Sequence, residues 1–543
     1  MSLPDVLQKH QNHSSVAKIK NSMENATNFN FKPVDQTTVM KSLKQLNVRK
    51  ATGIDNIGPQ FLRTGAKELA PVFTNLTNYM FKMNHFPVNL KRARITPAYK
   101  KKDRLLKNNY RPLSVLTTTS KLLETLVADQ FKKFLEKVLN DGISAYRPNY
   151  SCQSILVKVI EDWKAALDSG HTVGAIIMDL SQAFDVIPHG LLITKLQAYG
   201  MDENSCAFLM SYLQNRQQCV KVKDCTSQFE GVTKGVPQGS VIGPMLFNLF
   251  MNDIYLETLN TQLYNYADDN VLSFSHENPE YIKYVLEDEC TNTLSWFQSN
   301  GMKANPEKCN AIFVENNVKI SFSNLNVANC DIDIDECIKV LGVNVDSQLK
   351  FDKHVDYICK KASSQLNAVM RISKHLDEKT RNAIYESFIV SNFTYCPLVW
   401  MFCGKGKMRK IEKLQFRALK FVTNDYISSY ERLLQITSKC TMLILRIRLL
   451  AIEMYKVVNQ IAPEYICQLF ERHNITYGLR DNNRLTQNRF NTIKFGLKSV
   501  KYMGVKLWNN LPVNLKNSEN LPIFKKLIKN WDFEDSCNAE MWC

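Results

Sequence analysis

Two adjacent carboxylates, Asp268 and Asp269, stand between short apolar, aromatic-rich runs in Leu263-Tyr264-Asn265-Tyr266-Ala267-Asp268-Asp269-Asn270-Val271-Leu272-Ser273-Phe274. The pattern predicts a β-hairpin with the acid pair at its tip. Like charges so placed repel and resist desolvation, a cost that a hard divalent cation removes by taking carboxylate oxygens. An isolated Asp-Asp reads more readily as a solvated turn, but here a third acid precedes it. Asp179 closes the apolar run Gly174-Ala175-Ile176-Ile177-Met178, which predicts a strand buried on both faces with the carboxylate at its rim. Between the acids lies Gly235-Val236-Pro237-Gln238-Gly239-Ser240, ahead of an apolar helix predicted over 241–254. Glycines and a proline before a helix leave backbone N–H groups free to meet a ligand. The chemistry suggested is divalent-cation binding beside a ligand-contacting loop.

The elements that must position these groups can be read in outline. Residues 1–32 are polar and expected to be poorly ordered at the start. Helices are predicted over 39–46, 61–69 and 72–83, with a turn at Lys50-Ala51-Thr52-Gly53-Ile54-Asp55. Strands at 92–102 and from Asn109 flank a polar loop at 103–109, forming a basic hairpin that carries Lys100, Lys101, Lys102 and Arg111. Composition leaves that hairpin equally readable as a phosphate contact or a solvated turn. Amphipathic helices follow over 119–139 and 153–167, then 187–199 and 205–213, with a half-exposed strand at 217–223. A long helix over 279–299 ends at Gly301, and a strand is expected over 308–314. The β-α-β-β-α-β alternation is that of a ferredoxin-like split unit. Beyond Phe351 the pattern becomes helical, over 355–370, 379–390, 407–421 and 443–458.

With 543 residues, several domains are expected. The net charge is +17, and residues 401–543 hold 24 Lys and Arg against 12 Asp and Glu, so a polyanionic partner would be gripped largely there. The fifteen cysteines show no Cys-x-x-Cys or zinc-finger spacing, which favours scattered buried thiols in a reducing compartment. Cys537 and Cys543 form the one pair that hints at a truncated metal knuckle. No apolar run approaches the roughly 20 residues of a bilayer span, and the start lacks a signal-peptide core, so an intracellular, soluble chain of nucleus or cytoplasm with no membrane partner is expected.

Asp179, Pro237-Gln238-Gly239 and Tyr266-Ala267-Asp268-Asp269, in that order and spacing, resemble the palm motifs of reverse transcriptases, specifically those of non-LTR (LINE-type, jockey-like) retrotransposons. The resemblance extends over residues 50–529, through Ala145-Tyr146-Arg147-Pro148, Ile338-Lys339-Val340-Leu341-Gly342-Val343, Tyr395-Cys396-Pro397-Leu398-Val399-Trp400 and Val505-Lys506-Leu507-Trp508-Asn509-Asn510-Leu511-Pro512. It implies an α+β right-hand polymerase: an N-terminal extension and start of fingers over 1–82, fingers and ferredoxin-like palm over 83–345, a helical thumb over 346–430, and a basic, mostly helical region over 431–543. It implies an RNA-directed DNA polymerase using two Mg2+ ions (or Mn2+), an RNA template, a DNA primer and dNTPs, associated with element RNA as a ribonucleoprotein.

By the same resemblance, Asp179, Asp268 and Asp269 are catalytic metal ligands, helped by the main-chain carbonyl of Leu180. Lys100, Arg111 and Lys308 would meet the nucleotide's phosphates, and Gln238 and Gly239 would lie at the nascent base pair. Phe184, five residues beyond Asp179, would exclude a 2′-hydroxyl, while Asp185 is expected to be structural. Arg147, Tyr266, Leu341 and Gly342 would contact template or primer. Ala145-Tyr146 stands where the family carries Gly-Phe, a mild departure. Complete proteins of this kind carry an endonuclease ahead of the polymerase, which implies either a longer open reading frame or dependence on nicks made elsewhere. A catalytically inactive or domesticated nucleic-acid-binding relic is the alternative, and an RNA-dependent RNA polymerase a third reading that Phe184 disfavours.

Overall fold

The computed structural model describes residues 2–23, 28–100, 103–180, 183–304, 306–315, 320–472 and 483–531. Lys101, Lys102, Cys537 and Cys543 therefore lie outside the described residues. The chain is a mixed α+β protein that divides into two interleaved units: Met1–Tyr146 with Asp179–Leu259 and Thr291–Asn305, and Arg147–Met178 with Asn260–Cys290 and Pro306–Cys543. The described strands are β1 Arg92–Tyr99, β2 Tyr110–Leu116, β3 Thr172–Asp179, β4 Arg216–Val222, β5 Cys225–Thr226, β6 Glu230–Val232, β7 Gln262–Tyr266, β8 Asp269–His276, β9 Asn310–Val314, β10 Asn324–Val327, β11 Cys330–Asp333, β12 Cys337–Val340 and β13 Val343–Asp346.

In the first unit, β1 pairs antiparallel with β2 and parallel with β4, and β5 and β6 pair with β4. Helix Thr118–Val138 starts on Thr117, whose hydroxyl accepts from Ser120 N at 3.1 Å, a regular N-cap. The N-terminal stretch corrects the expectation of disorder. Ser2 and Asp5 form a capping box on helix Leu3–His10, and helix Ser14–Ser22 buries Val16 and Ile19. Their anchors are remote in sequence: Ser15 Oγ donates to Asn300 Oδ1, and Phe29 exchanges backbone hydrogen bonds of 2.9 Å with Gly200 and Asp202. Local composition carries no trace of such partners. The break between the next helices also moves, to Pro59–Thr64 and Ala66–Lys82, because Gly65 interrupts the run while Pro71 is absorbed inside the second helix.

The second unit holds a four-stranded sheet in the order β7-β8-β3-β9. The chain makes β3, crosses over, forms the β7–β8 hairpin, then makes helix Pro279–Ser299 and returns as β9 beside β3. That order is a split β-α-β unit. Every residue of β3 before Asp179 is buried, as its unbroken apolar pattern requires. Gly174 is glycine because a Cβ there would lie 2.6 Å from Ile282 Cγ2, so strand and helix pack at backbone distance. Lys308 ends a short 3-10 turn, Pro306–Lys308, and β9 begins only at Asn310, later than the sequence pattern suggested. The two-stranded hairpin β10–β11 has no counterpart in the periodicity reading.

C-terminal to the sheets the unit is helical, from Asp352–Met370 through Lys405–Thr423 and Met442–Val458 to Leu521–Asn530. The expected helix over 379–390 is regular only over Glu378–Ile384 and continues as π-helix over Tyr385–Val390. The last basic segment is docked within the unit: buried Glu161 accepts from Val500 N and Lys501 N at 2.9 and 2.8 Å, capping helix Val500–Asn510. The thirteen described cysteines are all free. No helix among the described residues is long and apolar enough to cross a membrane.

His354, on helix Asp352–Met370, is buried against Trp400, and its Nδ1 accepts from Asn344 N of β13 at 3.3 Å. Burial, reinforced by nearby Lys339, holds its pKa down at about 4. A histidine whose folded pKa lies below its unfolded value stabilises fully above about pH 6.5 and loses that contribution as pH falls toward 4. The loss should reach about 3 kcal/mol. Urea unfolding of wild type between pH 7 and 4 should show this slope, and His354→Leu should flatten it.

Candidate active site

In the second unit, β7 and β8 meet in the register Tyr266↔Asp269, leaving Ala267 and Asp268 as a two-residue loop. The tip is thus Ala267-Asp268, and Asp269 is already the first residue of β8, a correction of one residue to the expected acid-pair tip. Ala267 has φ +57°, a left-handed conformation uncommon for a residue with a side chain. Two fully buried amides hold the loop in it. Asn265 Nδ2 donates to Ala267 O at 2.9 Å and to Asn270 Oδ1 at 2.8 Å, while Asn270 Nδ2 donates to Asp268 O at 3.2 Å. Both loop carbonyls are thereby satisfied from beneath.

Asn265 and Asn270 carry no role in the sequence pattern. The signal available in sequence was an Asn on either side of the acid pair, in a stretch otherwise largely apolar. Asn265→Ala should slow primer extension about 10- to 100-fold, the usual cost of losing groups that orient metal ligands. Primer–template affinity should be little changed; an equal loss in both would point to unfolding instead.

β8 is the sheet neighbour of β3, and Asp179 is the last residue of β3. Asp179 is exposed and Asp268 partly so. Neither carboxylate has a hydrogen bond or ion pair with a described residue. Unengaged carboxylate oxygens are the donors that hard divalent cations take, so this donor set fits such ions. Among the described residues, no three His, Cys, Asp or Glu side chains stand together as a preformed metal cluster.

The first unit builds the loop at Pro237-Gln238-Gly239. Gly235 N and Val236 N donate to Ile187 O and Phe184 O, both at 2.8 Å, and His189 Nε2 lies 2.7 Å from Gly235 O. Gln238 Nε2 donates to both oxygens of Asp185 at 3.0 Å, and Gln238 O accepts from Ser114 N of β2 at 2.8 Å. Asp185 is thus the group that orients Gln238; burial raises its pKa, against the opposing hydrogen bond. Gly239, at φ +117°, allows close approach: a Cβ would stand 2.6 Å from Ser114 O. Buried Glu124 accepts from Val241 N at 2.6 Å just before helix Gly243–Met251.

Phe184 is half-buried, stacked on Phe247 with centroids 4.2 Å apart and edge-on to Tyr146 at 5.9 Å. Leu180 is buried and bridges to Ala304. Lys100 and Arg111 are exposed at the loop end of the β1–β2 hairpin, where Lys100 N donates to Asn109 O at 2.9 Å.

The remaining predicted residues lie in the second unit. The Arg147 guanidinium sits 4.2 Å over the Tyr150 ring, and Lys308 is exposed. Tyr266 packs partly buried against the unit's core. Leu341 and Gly342 form the two-residue turn of the β12–β13 hairpin, with φ +45° and +86°. Tyr395 Oη donates to Leu341 O at 2.6 Å, which pins a turn that leucine adopts at a cost.

The acids thus stand at a strand end and a hairpin tip of one sheet, with a clamped Pro-Gln-Gly loop on the chain between them. Residues 99–345 match the family described as reverse transcriptase (RNA-dependent DNA polymerase). A probable RNA-directed DNA polymerase from transposon BS of Drosophila melanogaster is 25% identical over 414 residues, 73% of this chain and 45% of that protein. The corresponding protein of the X-element of the same fly is 24% identical over 414 residues, 72% of this chain and 44% of its own. The RNA-directed DNA polymerase of its mobile element jockey is 23% identical over 398 residues, 71% and 43% of the two chains. The chain therefore spans less than half the length of these relatives. The resemblance to non-LTR retrotransposon enzymes is borne out.

Proposed function

We propose that this chain is an RNA-directed DNA polymerase that copies retrotransposon RNA into DNA by nucleotidyl transfer at two divalent cations, Mg2+ or Mn2+. The observation that carries the reading is the pair of unengaged carboxylates, Asp179 and Asp268, on neighbouring strands of a reverse transcriptase domain. Bound cations would relieve charge at the α-phosphate and leaving group and activate the primer's 3′-hydroxyl. The chain's own residues hold and orient. Asp179 and Asp268 are assigned as the shared ligands, with Asp269 and the Leu180 carbonyl in support. Lys100, Arg111 and Lys308 take the triphosphate, where charge-assisted hydrogen bonds are strongest. Gln238, oriented by Asp185 and backed by Gly239, lies under the nascent pair. Arg147, Tyr266, Leu341 and Gly342 line template and primer.

In this reading β7-β8-β3-β9 is the palm, the β1–β2 hairpin belongs to the fingers, and residues 346–430 form the thumb, with 1–82 as the N-terminal extension and 431–543 as a basic region over the product. The protein works inside the cell, in nucleus or cytoplasm, and travels with element RNA as a ribonucleoprotein. Phe184 faces the sugar of the incoming nucleotide. The test is extension of an oligo(dT) primer on poly(rA) with dTTP or UTP. Wild type should use dTTP almost alone, and Phe184→Val should raise UTP use about 10- to 100-fold, the scale set by one steric contact. Failure of wild type to extend with dTTP would support the inactive, nucleic-acid-binding alternative.

A further inference from the structure

In the first unit a cavity of about 250 Å3 opens among β1, β2, β4 and the loop before Gly239; Lys91, Ser114, Asp185, Arg216, Lys234 and Gln238 are among its lining residues. Two of these are cations and nearly fully buried: Lys91 and Arg216 are each 3% exposed. Lys91 closes the 3-10 turn Val88–Lys91, and its ammonium has no hydrogen bond or ion pair with a described residue. Arg216 Nη1 donates to Tyr212 O at 3.1 Å and its guanidinium lies 4.7 Å over the Tyr212 ring, but its Nη2 is buried with no acceptor.

The acids nearby do not resolve this. Glu124 acts on Arg216 through its charge but spends its oxygens on Ser120 Oγ and Val241 N. Both oxygens of Asp185 are taken by Gln238. The cavity thus holds an unmatched ammonium and an unsatisfied guanidinium N–H, each costly when buried. Burial, with Arg216's repulsion added, brings the Lys91 pKa down to about 8. Lys234 adds a third cation to the lining.

We propose that this cavity binds a phosphate-type oxyanion, with Lys91 Nζ and Arg216 Nη2 as its direct ligands. A tetrahedral oxyanion offers acceptors to both donors at once, and charge-assisted contacts of this kind are the strong ones. The inference does not depend on polymerase activity.

The test is titration calorimetry on the full chain, without divalent metal and at constant ionic strength, using inorganic phosphate, pyrophosphate and dTTP as probes and chloride as the control. Wild type and Lys91→Arg should bind at least one phosphate probe, and Lys91→Met should weaken it at least about 10-fold. Tighter binding of dTTP than of inorganic phosphate would assign the pocket to a nucleotide's phosphates, and equal or weaker binding to free phosphate. Binding no different from chloride, or unchanged in Lys91→Met, would overturn the proposal. Should Lys91→Met fail to fold, acylation of Lys91 in the wild type, followed by peptide mass, serves instead. Phosphate should slow it, and an unaltered rate would overturn the proposal.

Discussion

Asp268→Asn should lower templated primer extension by about 10³-fold or more while leaving the fold intact. Asparagine fills the same volume at the loop, and Asp268 contributes only its backbone carbonyl to the amide clamp, so the hairpin keeps its hydrogen bonds. What is lost is one anionic oxygen pair that no other described group engages. Removing charge stabilisation that acts at the transition state costs about 3–4 kcal/mol or more, which is 10²- to 10³-fold in rate, and weakened metal occupancy adds to it. Asp179→Asn should fall as far, and the double variant little further, because residues that serve one ion do not act additively. Extension with dTTP on poly(rA), paired with primer–template binding, measures this. Residual activity above about a tenth of wild type would be incompatible with the assignment.

The largest effect on stability is expected from Asp253. Its Oδ1 accepts from Lys195 Nζ at 2.5 Å and its Oδ2 from Trp296 Nε1 at 2.8 Å, with both charged side chains at most 1% exposed. Lys195 also donates to Phe250 O at 3.0 Å and lies over the rings of Phe250 and Trp296. Three stretches of the first unit meet here: helix His189–Ala198, turn Asn252–Leu256 and the end of helix Pro279–Ser299. Asp253→Ala strands a buried ammonium and an indole N–H, a loss of about 3–5 kcal/mol. Burial already depresses the Lys195 pKa, Asp253 opposing, so without the carboxylate the amine would shed its proton rather than remain charged. The pair Lys195→Met with Asp253→Leu should recover much of the loss, since a packed apolar pair often replaces a buried ion pair at little cost. Urea unfolding followed through tryptophan fluorescence would show both effects.

These two residues mark what sequence can and cannot disclose. Asp268 was legible because Asp179 and the Pro-Gln-Gly loop precede it in order; the acid pair alone reads as a solvated turn. β3 and the hairpin were legible because unbroken burial and a two-residue turn leave direct patterns. Asp253 and Lys195 were not, because a buried ion pair 58 residues apart looks like two solvated charges until the fold joins them. The N-terminal helices were lost for want of their remote partners. Asn265 and Asn270 read as strand filler because an amide's role depends on which carbonyls it reaches. Lys91 stayed hidden because a single lysine beside a strand is usually solvated, and only burial makes it conspicuous. Gln238 was recognised through its motif, while the Asp185 carboxylate that orients it was visible only in the structure.

The central claim is that Asp179, Asp268 and Asp269 serve common metal ions. Manganese binding followed by electron paramagnetic resonance, on wild type and on Asp179→Asn and Asp268→Asn with primer–template and a non-hydrolysable dNTP analogue, tests it most directly. The account predicts saturable Mn2+ binding in wild type that each single substitution weakens to a similar degree. Full Mn2+ affinity in either variant would contradict it.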